Sequence, residues 1–421
     1  MPTAWQRAPH DPTRVTARWS EGDIPKANVR RSNFARALPK GRARIVFESN
    51  VLLPIRHQQV ERLAPTRNER PLTCRSVASQ ESFGADDGRV TRPRVLFICG
   101  SLNQTTQLHD VARALGGVAA CFTPFYGAAY VTLMRRLGLL ESTIGGDKLR
   151  GRCLDYLHRN ELTIDLDGVG GHYDLIVTCT DVALPENAEG TPLIVVQEGI
   201  LDPPGLTFEL VRRFPGRLPR WFAGTSATGL SAKYQRFCVA SQGYRDLFVA
   251  RGADPARVVV TGIPNFDDCA AFLDNDFPHR GYALVCSSDA RETFKLHDRS
   301  AFIRRALRIA GRRELIFKLH PNERAGRARR EIAQLAPGAL VFSEGPTNHM
   351  IANCSVLITE WSSVAFVGIA LGKEVHSSHP MSELRRLMPE QNGTAAQCIA
   401  RVCEESLRTK AHRQVESEVA A

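Results

Sequence analysis

The stretch ELIFKLHPNE (Glu314–Glu323) reads as a buried strand that stops at a proline and turns into a helix. Its apolar run shows no alternation with polar residues, the pattern of a parallel strand covered on both faces. Pro321 ends the ladder, and Asn322 and Glu323 open the helix that follows. The strand therefore delivers Lys318 and His320 at its carboxyl end. His320 there can donate to a phosphate or sugar oxygen beside a helix N-terminus, which favours anions.

The same grammar recurs on both sides of this stretch. Downstream, TEWSSVAFVGIALGKEV (Thr359–Val375) ends a strand, places Ser362 and Ser363 near an N-cap and begins a helix. Two hydroxyls and free backbone N–H groups there make a phosphate cradle without a glycine-rich loop, although an ordinary serine cap has the same letters. Upstream, YALVCSS (Tyr282–Ser288) is a strand, and Ser287, Ser288, Arg291 and Lys295 just beyond it read as pyrophosphate ligands or as a polar loop. These elements form one parallel sheet with its strand ends on one edge.

A second set of apolar runs precedes it: RVLFICG (Arg94–Gly100), Val118–Phe122, Tyr173–Asp181, Thr191–Gly199, Arg236–Ser241 and Arg257–Asn265. Helical segments lie between them, among them His109–Leu115, Tyr130–Leu140, Leu149–Arg159 and Gly243–Arg251. Strands alternating with helices imply a doubly wound sheet. The fold class is therefore α/β, with two Rossmann-like parallel-sheet domains and an interdomain cleft where ligands of open sheets bind. The expected division is 1–91 as a disordered basic extension, 92–273 as the acceptor domain, 274–408 as the nucleotide-donor domain and 409–421 as a tail.

The cleft side of the first domain offers Glu198, in VVQEG (Val195–Gly199), as a general base for an acceptor hydroxyl, or as a plain loop carboxylate. Pro203-Pro204-Gly205 after it makes a rigid turn. Gly100, Ser101, Gly199 and Asn265 are expected on the acceptor side. GSLNQTTQLHD (Gly100–Asp110) lacks a dinucleotide fingerprint. The DxD-like triplets at Asp165–Asp167 and Asp274–Asp276 read as solvated carboxylates, so neither metal nor cofactor is expected.

Composition sets the outer limits. The chain has 421 residues and a formal charge of +11. Residues 1–91 hold 16 Lys and Arg against 9 Asp and Glu, so most of the excess lies outside the sheets. That distribution gives no clustered basic face with aromatics, which excludes a nucleic-acid footprint. Eleven cysteines, several within strands, read as reduced buried hydrophobes of a cytoplasmic protein. No secretory signal opens the sequence. The uncharged Ala114–Met134 carries glycines and a proline and reads as strand, turn and helix start rather than as a membrane span.

Lys-Leu-His-Pro at 318–321 and Thr-Glu-Trp-Ser-Ser at 359–363 resemble the C-terminal domain of CDP-glycerol glycerophosphotransferases, where the second motif usually reads T-D-Y-S-S. The order Gln197-Glu198-Gly199, His320-Pro321, Ser362-Ser363 also resembles bacterial capsule-type sialyltransferases. Both groups belong to the GT-B superfamily, and the likeness covers roughly residues 93–405 by pattern. It implies that His320, Ser362 and Ser363 bind donor phosphate and that Glu198 is the base. Lys318, Asn322, Glu323 and Glu360 join the expected donor site. Gln197 stands where the families have an acidic residue, Glu360-Trp361 replaces Asp-Tyr, and the first-domain His-Gly motif of glycerophosphotransferases is absent.

The implied activity is metal-independent transfer of a sugar or polyol phosphate from a nucleotide-sugar or CDP-polyol donor to a glycan or lipid-linked acceptor, with peripheral contact at the inner face of the membrane. A non-hydrolysing UDP-sugar 2-epimerase and a non-catalytic nucleotide-binding protein are the alternatives. The epimerase needs several cleft carboxylates and histidines, and only Glu198, His320 and His376 are on offer.

Overall fold

In the computed structural model, the described residues are 92–124, 147–182, 184, 188–200, 205–214, 226–231, 233–288, 290–291 and 297–420. The expected extension 1–91, the helix Tyr130–Leu140, the turn at Pro203-Pro204 and Lys295 lie outside them.

Six short strands form the first sheet: β1 (Arg94–Ile98), β2 (Ala119–Thr123), β3 (Leu175–Thr178), β4 (Leu193–Val196), β5 (Arg236–Val239) and β6 (Val258–Val260). All pair in parallel, in the order β2-β1-β3-β4-β5-β6. Every residue of β3 and β4 is buried, as a strand covered on both faces requires. Helices α1 (Leu102–Ala114), α2 (Asp147–Arg159), α3 (Leu206–Arg213) and α4 (Gln242–Arg251) belong to its crossovers.

The second sheet has five parallel strands, β7 (Ala283–Cys286), β8 (Leu315–Lys318), β9 (Leu340–Phe342), β10 (Val356–Ile358) and β11 (Glu374–His376), in the order β11-β10-β7-β8-β9. Its helices are α5 (Arg299–Ala310), α6 (Ala325–Leu335), α7 (Thr347–Asn353), α8 (Val364–Ala370) and α9 (Met381–Arg386). Two Rossmann-like sheets in tandem give the GT-B arrangement expected from the sequence.

Local chemistry sets the helix starts. Ser101 caps α1 by accepting from Gln104 N at 3.2 Å, so the helix begins well before the expected His109. Ser241 caps α4 through Tyr244 N, and Asp298 caps α5 through Ala301 N. Gly252 closes α4 at φ 110°, a conformation a side chain resists.

The end of the chain departs from the expected division. One helix, α10, runs from Ala395 to Ala420 through the position where a tail was expected. Its Ile399, Ala400, Val402 and Cys403 share a core with Leu108 and Val111 of α1, so it returns to the first sheet. Asp267, after β6, accepts from Asn392 N at 3.0 Å and Ala395 N at 2.6 Å and fixes that return.

The two sheets are joined by a dry contact. Phe366 of α8 is fully buried and stands edge-on to Tyr244 and Phe266, with ring centroids 6.2 and 6.1 Å apart. Burying such a ring contributes roughly 1.5–3 kcal/mol. Nearby, a Cβ on Gly243 would lie 1.9 Å from the Arg386 carbonyl oxygen, so only glycine lets α4 approach α9. Among the described residues no helix is long and apolar enough to cross a membrane.

Candidate functional site

In each sheet the chain reverses its direction of travel at one point. That point lies between β1 and β3 in the first sheet and between β7 and β10 in the second. Crevices beyond the carboxyl ends at such points are where open α/β sheets take ligands. The second crevice is bridged directly. Ser288, after β7, donates to Glu360 Oε2, after β10, at 3.0 Å. The same oxygen lies 2.7 Å from His297 Nε2, and His297 Nδ1 is buried with no hydrogen-bond partner.

His320 follows β8, one strand over. Its Nδ1 accepts from the Asn322 backbone N–H at 3.2 Å. A backbone N–H can only donate, so the neutral ring carries its proton on Nε2, the form that donates to an oxygen. The His320 backbone N–H donates to Ser287 Oγ at 3.1 Å, and Ser287 donates in turn to Glu323 Oε2. Glu323 is 5% exposed and pairs with Arg299 at 2.9 Å. Ser287 and Glu323 were expected to touch the donor. Both are instead buried and hold the histidine turn from beneath.

Two further expectations change. Lys318 was expected to add charge beside His320. Its Nζ donates to the carbonyls of Leu319 (3.0 Å) and Ser343 (3.4 Å) under almost complete burial. Burial pulls its pKa down, and repulsion from Arg152 of α2 acts in the same direction. Arg291 makes a bidentate pair with Glu331 of α6, both bonds at 2.8 Å, so its guanidinium serves the α6 packing.

On the first sheet, Glu198 is half-buried at the end of β4. Ser101 Oγ donates to its Oε1 at 2.8 Å and Gln104 Nε2 to its Oε2 at 2.6 Å. Both donors belong to the first turn of α1, which aims the carboxylate and adds the favourable end of a helix dipole. Gln197 points the other way. Its amide accepts from Ala240 N and donates to Gly199 O, each at 2.9 Å, tying β4 to β5. A buried carboxylate there could not donate to Gly199 O, which explains an amide where the related motifs are acidic. Asn265, expected in the cleft, donates to Asn103 O (2.9 Å) and Gln107 Oε1 (3.2 Å) and braces α1.

The two sheets meet at Ser363. Its hydroxyl accepts from the Ile200 N–H at 3.0 Å, so it docks on the Gln197-Glu198-Gly199 turn rather than standing open to a ligand. Its neighbour Ser362 stays half-buried, with a long 3.5 Å bond from Val364 N. A Cβ on Gly199 would sit 2.6 Å from Ser363 Oγ. Gly199→Ala should therefore cost about 1–3 kcal/mol through overpacking. Thermal unfolding should show a lowered midpoint, largely recovered in Gly199→Ala/Ser363→Ala, because the nearest remaining atom is then 3.4 Å away. A double variant no more stable than Gly199→Ala would place the strain elsewhere.

A continuous path thus runs from His320 through Ser287 and Ser288 to Glu360, along the turn to Ser363, and across Ile200 to Glu198. Sequence reading missed His297 and Gln104. Gln104 was legible in principle, as a polar residue one turn after a serine cap. His297 meets Glu360, 63 residues on, and that pairing carries no local signal.

No family model matches the chain, and no curated protein matches its sequence. Solved structures do. The wall teichoic acid polymerase TagF is 10% identical with a TM-score of 0.47, covering 76% of this chain and 90% of that one. A UDP-GlcNAc 2-epimerase from Neisseria meningitidis, bound to UDP-GlcNAc, is 10% identical with a TM-score of 0.44, covering 75% and 100%. Anabaena Alr3699/HepE, in complex with UDP and glucose, is 12% identical with a TM-score of 0.43, covering 78% and 100%. At these identities the resemblance concerns fold, and the case for each residue's role rests on the geometry above.

Proposed function

We propose that this protein transfers a sugar or polyol phosphate from a nucleotide-activated donor to a hydroxyl of a glycan or lipid-linked acceptor. The observation that carries the reading is the path from His320 to Glu198. It puts a donor suited to phosphate oxygens on one sheet and an oriented carboxylate on the other.

In this reading the donor diphosphate lies over the carboxyl ends of β7, β8 and β10. His320 Nε2–H donates to it. Glu198 accepts the acceptor's hydroxyl proton as the oxygen attacks. The bond that breaks joins the transferred group to the nucleotide's phosphate, and the nucleotide leaves with the electron pair. The leaving charge is met by oriented donors already in place.

A panel of nucleotide-sugars and CDP-polyols, assayed for nucleotide release, tests this. Release that depends on an acceptor supports transfer. Isomerised donor without release identifies an epimerase, and binding without turnover a nucleotide-binding protein. His320→Ala removes one charge-assisted hydrogen bond, roughly 1.5–3 kcal/mol. By calorimetry the nucleotide Kd should rise about 10- to 150-fold, with an unchanged melting temperature. An unchanged Kd would remove His320 from the donor site.

A further inference from the structure

A cavity of about 650 Å³ lies at the edge of the first sheet opposite Glu198. It sits at the amino ends of β5 and β6 and is walled on one side by α10, between Val402 and Thr409. Because β5 runs parallel to β4, Arg236 at the start of β5 is on the far edge from Glu198, which follows β4. Three cations of the lining are uncommitted. Among the described residues, the side chains of Lys233 and Arg408 make no hydrogen bond or ion pair, and Arg236 bonds the carbonyl of its neighbour Gln235 at 3.1 Å. Arg257 is committed, pairing with Asp254 at 3.2 Å and donating to Tyr234 O at 2.9 Å.

The lining specifies what fits. Glu405 is its one acidic residue, so the three uncommitted cations leave two positive charges uncancelled. A phosphate monoester, which carries about −1.5 to −2 at neutral pH, cancels them. Glu405 repels a bare anion but accepts from a hydroxyl, so the ligand also carries hydroxyl groups. Ser406 adds a polar floor. It is 7% exposed, and its hydroxyl makes no hydrogen bond among the described residues, although a mid-helix serine commonly bonds back to the carbonyl four residues earlier. The one ring of the lining, Tyr234, is 1% exposed, with its hydroxyl held by Gly229 O at 2.6 Å. It offers no face for a nucleobase, which argues against a nucleotide.

We infer that this cavity is a second ligand site, which takes the phosphate monoester of a sugar or polyol. Its phosphate lies among Lys233, Arg236 and Arg408, and its hydroxyls meet Glu405 and Ser406. The inference does not depend on the proposed activity, because the cavity and the donor crevice belong to different sheets. An occupant would tie the amino ends of β5 and β6 to α10, and so would stabilise the docking of the C-terminal helix on the first sheet.

The test uses the full chain and calorimetric titration with glucose 6-phosphate, glycerol 3-phosphate and inorganic phosphate at matched ionic strength. At least one of the two esters should bind saturably and more tightly than inorganic phosphate, and should raise the unfolding temperature. Arg236→Gln/Arg408→Gln should weaken ester binding about tenfold or more, with an unchanged circular dichroism spectrum. Glu405→Gln should narrow the preference for the ester over inorganic phosphate, since it removes both the hydroxyl's strongest acceptor and the repulsion of a bare anion. His320→Ala should leave ester binding unchanged. Absence of saturable binding by both esters, equal affinity for esters and inorganic phosphate, or undiminished binding by the double variant would each overturn the inference. So would ester binding that His320→Ala abolishes, because the ligand would then occupy the donor crevice. If the double variant misfolds, the Glu405→Gln and His320→Ala results decide.

Discussion

Glu198→Gln should abolish turnover while leaving the fold and nucleotide binding in place. The substitution is close to isosteric, and the site can absorb it. The glutamine carbonyl can accept from Gln104 Nε2, now 2.6 Å from the carboxylate. Its amide can donate to Ser101 Oγ, now at 2.8 Å, if that hydroxyl turns its proton away. One hydrogen bond reverses and none is lost, so the structural cost is on the order of 1 kcal/mol. The chemistry is not absorbed, because an amide cannot take a proton from an attacking hydroxyl. A missing general base lowers kcat by roughly 10²–10⁴. In the proposed reading the donor is bound mainly by the other sheet, so its Kd should move less than about threefold, which is under 1 kcal/mol. Parallel losses in kcat and nucleotide affinity would mean that Glu198 organises the cleft instead of moving a proton. Ser101→Ala gives a graded control, since it removes one of the carboxylate's two aiming bonds and should lower kcat by a smaller factor.

The strands and the crevice were readable because they depend on local pattern. Runs such as LIVV at 193–196 and LIFK at 315–318 are buried on both faces, and such strands declare themselves by unbroken apolar composition. Residue roles inside the crevice were less readable, for a definable reason. Ser287, Glu323 and Arg291 sit in the same sequence context as ligand residues, just beyond strand ends. Whether each faces the crevice or the interior depends on partners 36 to 40 residues away, namely Glu323 for Ser287 and Glu331 for Arg291. Lys318 fails in another way. Its strand position was read correctly, but a long side chain reaches back to the Ser343 carbonyl. The C-terminal helix was missed because its apolar residues answer to α1, nearly three hundred residues earlier, and not to the sheet just completed.

The buried pair of Glu323 and Arg299 should produce the largest stability effect of any substitution near the site. The side chains are 1% and 4% exposed and 2.9 Å apart. Burial lowers the Arg299 pKa, and the charge of Glu323 opposes that shift. Its guanidinium nitrogens find no well-directed hydrogen bond, so the compensation is chiefly ionic. Removing one member of such a pair strands the other charge and costs about 3–5 kcal/mol. That is a large part of the ~5–15 kcal/mol by which domains are stable. Glu323→Ala should therefore unfold at clearly lower denaturant, or fail to accumulate as folded protein. The pair also has a second duty, because Glu323 holds Ser287 and Ser287 holds the His320 backbone. The two duties separate in Glu323→Leu/Arg299→Met, which removes both charges and fills the space. Replacing a buried ion pair with apolar groups is often neutral or stabilising. This double variant should recover the unfolding midpoint yet bind nucleotide more weakly than wild type, because the turn carrying His320 has lost its anchor. Recovery of stability together with full nucleotide affinity would show that the network serves the fold alone. Failure to recover stability would show that the cost of Glu323→Ala lay in the Ser287 bond rather than in the stranded arginine.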